Sequence, residues 1–177
     1  MKAAGIELEK VGEGDHPMLG SFEVGDRLSV AFVREPLTWY GSFWNHRRRK
    51  FEAEDVPIDV FHEPLDNWSD RSFPEFLAAV IEEAPGYLSN FYDQFLGPPE
   101  NEVGFVGYFE NLVDDLVRAL NEAGEGFDEQ ALRDFPQLNQ TRDTPECDDD
   151  LRQRLMQAER GAYERFYAGA LVRFAQT

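Results

Sequence analysis

Two short apolar runs, each followed almost at once by a longer segment of helical period, constrain this chain more than any other feature. The first, Leu28-Ser29-Val30-Ala31-Phe32-Val33, is mostly apolar, as strands buried in parallel sheets are. Arg34-Glu35-Pro36 interrupts it, and Leu37 to Lys50 then carries Trp39, Tyr40, Phe43 and Trp44 at spacings that fit a helix. The second run, Val103 to Phe109, passes directly into Glu110 to Ala123, where Leu112, Val113, Leu116, Val117 and Leu120 form one helical stripe. Strand followed by helix, twice over, predicts an α/β domain built on a parallel sheet flanked by helices.

The remaining segments fill in that plan. Lys2 to Gly5 reads as the last turn of a helix closed by glycine, and Ile6 to Val11 alternates apolar and polar as a half-buried strand does. A domain rarely opens on the end of a helix, so an upstream segment is expected. Gly12 to Gly25 is a loop, and Phe51 to Asp70, interrupted by Pro57 and Pro64, is an irregular excursion packed through Phe61 and Trp68. Ser72 and Glu75 have the spacing of a capping box at the head of a helix running to Pro85. Tyr87 to Leu96 is a further helix, stopped by Gly97-Pro98-Pro99, and Asp128 to Phe135 a short one. Thr144 and Pro145 read as N-cap and first helical residue of a final helix that runs almost to Thr177, with Asp148 to Asp150 favouring its positive end. Leu151, Leu155, Ala158, Ala162, Phe166, Ala170 and Phe174 form its core face. There is no internal repeat and no low-complexity tract, and residues 1–177 are expected to form a single domain.

Composition narrows the partners. A chain of 177 residues that is 42% hydrophobic can bury a core of its own. A formal net charge of -18 repels phosphate backbones and argues against a nucleic-acid partner. An anionic ligand must therefore be held by local cations and backbone amides, which makes the positions of the few arginines informative. No stretch approaches the roughly 18 to 20 apolar residues of a membrane span, and Met1 to Val11 has no apolar run of the secretory kind. Cys147 is the single cysteine, so no internal disulfide can form. The expected location is the cytoplasm, of a cell or of a host cell, with no membrane partner.

The segment with most chemical promise is Phe32-Val33-Arg34-Glu35-Pro36-Leu37-Thr38-Trp39-Tyr40-Gly41-Ser42-Phe43-Trp44. In open α/β sheets ligands bind beyond the carboxyl ends of the strands, where Arg34 falls. Ser42 follows eight residues later, in the helix that the turn begins. A guanidinium and a hydroxyl brought together there can hold a phosphate, one by charge and fork geometry, the other by a directed hydrogen bond. The aromatic residues between them are core-filling first. The other reading of Arg34 is structural, capping a helix end or pairing with a carboxylate.

Val-Arg-x-Pro with a serine eight residues after the arginine resembles the 3′-phosphate-binding segment of sulfotransferases, which use 3′-phosphoadenosine 5′-phosphosulfate. Val106-Gly107-Tyr108-Phe109-Glu110-Asn111-Leu112 is similar to the strand-to-helix segment of the same family, and Leu138-Asn139-Gln140-Thr141 and Tyr163 to Tyr167 fall in the order of its bacterial and phage-type members. The likeness spans roughly Gly5 to Tyr167. It implies an incomplete P-loop-type sulfotransferase fold in which Arg34 and Ser42 bind the cofactor's 3′-phosphate, and Trp39, Tyr40 and Trp44 pack the helix or border the nucleotide. His16, in the loop before the central strand, is the implied general base. The family's opening strand, glycine-containing loop and helix, whose amides and cation hold the 5′-phosphosulfate, have no counterpart: neither Gly-x-x-x-x-Gly-Lys-Ser nor Pro-Lys-x-Gly-x-Thr occurs. The chain is thus expected to be amino-terminally truncated relative to the family.

The other histidines, His46 and His62, share no metal-ligand spacing with a cysteine, an aspartate or a second histidine, so no metal site is expected. Arg47-Arg48-Arg49-Lys50 is a concentrated cationic run, read either as solvated charges complementing a helix C-terminus or as an attractor of an anionic acceptor. The resemblance implies sulfuryl transfer from the nucleotide to a hydroxyl or amine acceptor, weak or absent without the loop. The alternatives are a non-catalytic structural or assembly protein of a phage-like particle, and a nucleotide-phosphate sensor. A homo-oligomer or a second chain that completes the site belongs to the same set of expectations.

Overall fold

The computed structural model describes Gly5 and residues 25–52, 63–136 and 145–169. The expected strand at Ile6 to Val11, Phe61, and the segments around Leu138 to Thr141 and beyond Gly169 lie outside the described residues. The chain is mixed α/β, mostly helical, and divides into two compact units: residues 1–34 with 91–139, and residues 35–90 with 140–177.

The first unit is organised by two parallel strands, β1 (Val30–Val33) and β2 (Phe105–Tyr108). They pair in the register Val30 with Phe105 through Val33 with Tyr108. Both expected strands form, each shorter than its apolar run. Side chains crowd Gly107, where an added Cβ would stand 2.5 Å from Cε1 of Phe32 and 3.1 Å from Cβ of Asp115. A 3-10 turn at Phe109–Asn111 leads from β2 into α5 (Leu112–Glu122), and the short α6 (Glu129–Arg133) follows. Asp128 caps α6 by accepting from the Ala131 amide at 3.0 Å, which satisfies one of the helix's orphan donors. Val117 and Leu132 are buried together, with Leu116, Leu120, Phe127 and Ala131 packed against them.

The stripe read from α5 needs one correction. Leu112, at its head, is exposed, whereas Asp115 is buried. The reason is a backbone donor: the strand ladder ends at Tyr108, and its amide donates to Oδ2 of Asp115 at 2.7 Å. A buried amide without a partner is costly, so the carboxylate takes an inward position that hydrophobic periodicity assigns to no polar residue.

The second unit is helical: α1 (Pro36–Glu52), α2 (Glu63–Asp66), α3 (Phe73–Glu83), the first turn of α4 (Tyr87–Leu96), α7 (Asp149–Ala158) and α8 (Arg160–Phe166). The α4 bounds agree with the residues read from sequence, and its later turns belong to the first unit. α3 packs against α1 and α7. Its start is the one the sequence signals, with the Ser72 amide donating to the Glu75 carboxylate at 3.1 Å and Pro74 in the first turn. Rings build the core: Phe43 stacks on Phe76 at 6.1 Å, Phe73 on Phe76 at 6.3 Å, and Tyr40 meets Phe76 edge-on at 6.2 Å. Trp68 is buried, as expected of the excursion.

The final helix differs from its reading at both ends. Pro145 is not helical; Asp148 is the N-cap, accepting from the Leu151 amide at 2.7 Å, while Thr144 lies outside the described residues. An aspartate at the cap followed by two more in the first turn suits the helix dipole better than a start four residues earlier. The helix is also broken at Glu159, whose φ of -99° and ψ of 27° separate α7 from α8. Of the described core-face residues, Leu151, Leu155 and Ala162 are buried, while Ala158 and Phe166 are half-buried. No helix among the described residues is long and apolar enough to cross a membrane.

Candidate functional site

Arg34 occupies the first position beyond the carboxyl end of β1. There the ladder no longer serves its backbone, and one side chain takes over. The Tyr92 hydroxyl accepts from the Arg34 amide at 2.9 Å and donates to the Arg34 carbonyl at 2.7 Å. A hydroxyl is donor and acceptor at once, so a single buried tyrosine replaces both halves of a missing rung. The Arg34 guanidinium lies over the ring of Phe109, 4.6 Å from its centroid, at the end of the second strand. Phe109 is 47% exposed, and Arg34, half-buried, makes its cation–ring contact at the carboxyl edge of the sheet. In the same unit, Arg118 donates to Asp115 at 2.9 Å and lies over Phe105.

Ser42, half-buried, stands in α1, the helix that begins two residues after Arg34. Arg34 closes one unit and Ser42 belongs to the other. His16 lies outside the described residues, as does His62. Trp39, Tyr40 and Trp44 pack their helix: Trp39 stacks on Phe43 at 5.6 Å, Trp44 lies 5.6 Å from Phe73, and the Trp44 indole donates to the Arg71 carbonyl at 2.9 Å. Glu110 and Asn111 of the Glu-Asn-Leu segment are exposed in the 3-10 turn after β2.

The cationic run is not a uniform solvated face. Arg48 and Arg49 are exposed, but Arg47 is 2% exposed and paired with Asp66 of α2 at 2.6 Å. A helix delivers successive side chains to different faces, so three adjacent arginines cannot share one environment. Arg47 is a tether for α2.

Two tyrosine–carboxylate pairs, one buried and one half-buried, were not foreseen. Glu159, fully buried, accepts from the Tyr40 hydroxyl at 2.5 Å, the amides of Leu88 and Ser89 at 3.0 and 2.9 Å, and the Ser89 hydroxyl at 2.7 Å. Ser89 in turn accepts from the Ala162 amide at 3.0 Å. Each helix start thus caps the other: Glu159, the N-cap of α8, supplies acceptors to the first turn of α4, and Ser89 of α4 supplies one to α8. Glu35 accepts from the Tyr163 hydroxyl and from the Thr38 amide, the latter at 2.9 Å. Burial, reinforced by the adjacent carboxylate, holds the phenols of Tyr40 and Tyr163 well above the usual tyrosine range. These groups are saturated by internal partners and read as structural. The local sequence carried no signal for them, because the partners are 70 to 128 residues apart.

Cys147 is half-buried, and its thiol is shifted upward chiefly by that burial, which makes it a poor nucleophile. Among the described residues no three His, Cys, Asp or Glu side chains converge as a metal site requires. No protein-family model, curated protein or solved structure matches the chain.

Proposed function

We propose that this chain is a sulfotransferase-like protein that binds the 3′-phosphate of adenosine 3′,5′-bisphosphate, with Arg34 as the principal ligand and little or no sulfuryl transfer. The observation that carries the reading is the place of Arg34: a cation one residue past a parallel strand, backbone fixed, side chain at the carboxyl edge of the sheet. The order of the matching segments along the chain supports it. In the resembled family, 3′-phosphoadenosine 5′-phosphosulfate supplies an activated sulfuryl group. The donor set here fits the 3′-phosphate end of such a molecule, since a guanidinium matches a phosphate monoester in charge and geometry. Residues 1–177 carry neither phosphate-loop pattern for the 5′-phosphosulfate, whose developing negative charge is what transfer must stabilise. His16 remains the proposed base for any residual transfer to a hydroxyl or amine acceptor.

Isothermal titration of the purified chain with adenosine 3′,5′-bisphosphate tests this. Measurable binding is expected, weakened about 10-fold or more in Arg34→Ala, as loss of a charge-assisted contact implies. Absence of heat with the wild type overturns the reading and leaves a structural or assembly role for the fold.

A further inference from the structure

We infer that Tyr92 is the positioning residue of this phosphate site, an inference that rests on the reading of Arg34 above. Beyond Val33 the β1–β2 ladder stops, and the chain must cross two residues before Pro36 opens α1. An arginine in such a gap would ordinarily move with its backbone. Instead the Tyr92 hydroxyl makes two hydrogen bonds to the same peptide position, one to the Arg34 amide and one to its carbonyl. Tyr92 is 4% exposed and sits in α4, so the hydroxyl is presented from a rigid element and from the protein side. Phe109 supports the guanidinium at the other end of the side chain. Arg34 is therefore fixed at its root and braced at its tip, which removes ordering that a ligand would otherwise have to impose.

The substitution Tyr92→Phe deletes only the hydroxyl and keeps the ring. Two measurements on the full chain separate the inference from the reading beneath it. Hydrogen exchange at the Arg34 amide is expected to accelerate at least about 10-fold in Tyr92→Phe, because that amide loses its acceptor. The dissociation constant for adenosine 3′,5′-bisphosphate is expected to rise about 5- to 10-fold. Leu132→Val, which removes a buried methylene in α6, serves as a control for general loosening and is expected to leave the dissociation constant unchanged. If Tyr92→Phe binds the bisphosphate as tightly as the wild type while Arg34→Ala does not, the positioning role falls and the phosphate site stands. If the wild type gives no binding, the phosphate reading falls, and the positioning role with it. Unchanged exchange at Arg34 overturns the clamp in either case.

Discussion

The two units use buried polar groups in opposite ways. In the helical unit, Glu159 is buried and Glu35 half-buried, and hydroxyls and amides of the same unit donate to both. In the strand-bearing unit, the polar contacts at the sheet's carboxyl edge serve the backbone, through Tyr92 to Arg34 and Asp115 to Tyr108, while the Arg34 side chain rests on an exposed ring. A group whose hydrogen bonds are all spent internally stabilises a fold. One whose backbone is held and whose guanidinium is braced on a ring at the end of a sheet has the pre-set geometry that a binding residue needs. The difference teaches that chemical richness is a poor guide to function. Among the described residues the densest polar cluster is satisfied internally, and the candidate site centres on one arginine just past the end of a short strand.

The contrast can be broken by substitution. Glu159→Ala would leave four donors without their acceptor, and a loss of about 3 kcal/mol in stability is expected from urea denaturation followed by tryptophan fluorescence. An unchanged midpoint would show that Glu159 is not the fastener described. Gly107→Ala would press a methyl group into Phe32 in the sheet, with an expected cost of about 2 kcal/mol from overpacking. Equal stability of this variant would mean that the sheet yields locally, and that the carboxyl edge is less firmly set than the register implies.

The smallest effect is nil at neutral pH and appears only in alkali. Tyr40 and Tyr163 hold their protons in the folded chain to a higher pH than unfolded tyrosines, whose ordinary value is 10.0. Above that value the unfolded state binds fewer protons than the folded state, so stability falls as pH rises further, and below it these groups contribute no pH dependence. Ultraviolet titration should find at least two of the six tyrosines silent until the helical unit opens. Ionisation of all six in the folded protein near 10 would contradict the burial of both phenols.

Much of the local structure was legible. Both strand-to-helix passages, the capping-box start at Ser72, and the α4 bounds follow from period, caps and glycine or proline stops, which are short-range effects. What failed was decided over distance. The stripe from Leu151 to Phe166 is continuous in period, yet the helix breaks at Glu159, where the carboxylate reaches the first turn of α4 and a Cβ added at Gly161 would stand 3.2 Å from Cβ of Ser89. Arg47 looked like one of three solvated arginines and is buried because Asp66 returns to meet it. The position of Arg34 at a strand end was readable from the sequence. Its fastening by Tyr92, 58 residues away, was not, since nothing in a helical aromatic pattern distinguishes a hydroxyl that will be used from a ring that merely fills space.

The most direct test pairs two ligands with two proteins: adenosine 3′,5′-bisphosphate and adenosine 5′-monophosphate, each titrated into the wild type and into Arg34→Ala. If the guanidinium grips the 3′-phosphate, the wild type should prefer the bisphosphate by about 10-fold or more, and the variant should lose that preference. A preference that survives in Arg34→Ala, or none in the wild type, would contradict a phosphate site at the carboxyl edge of this sheet.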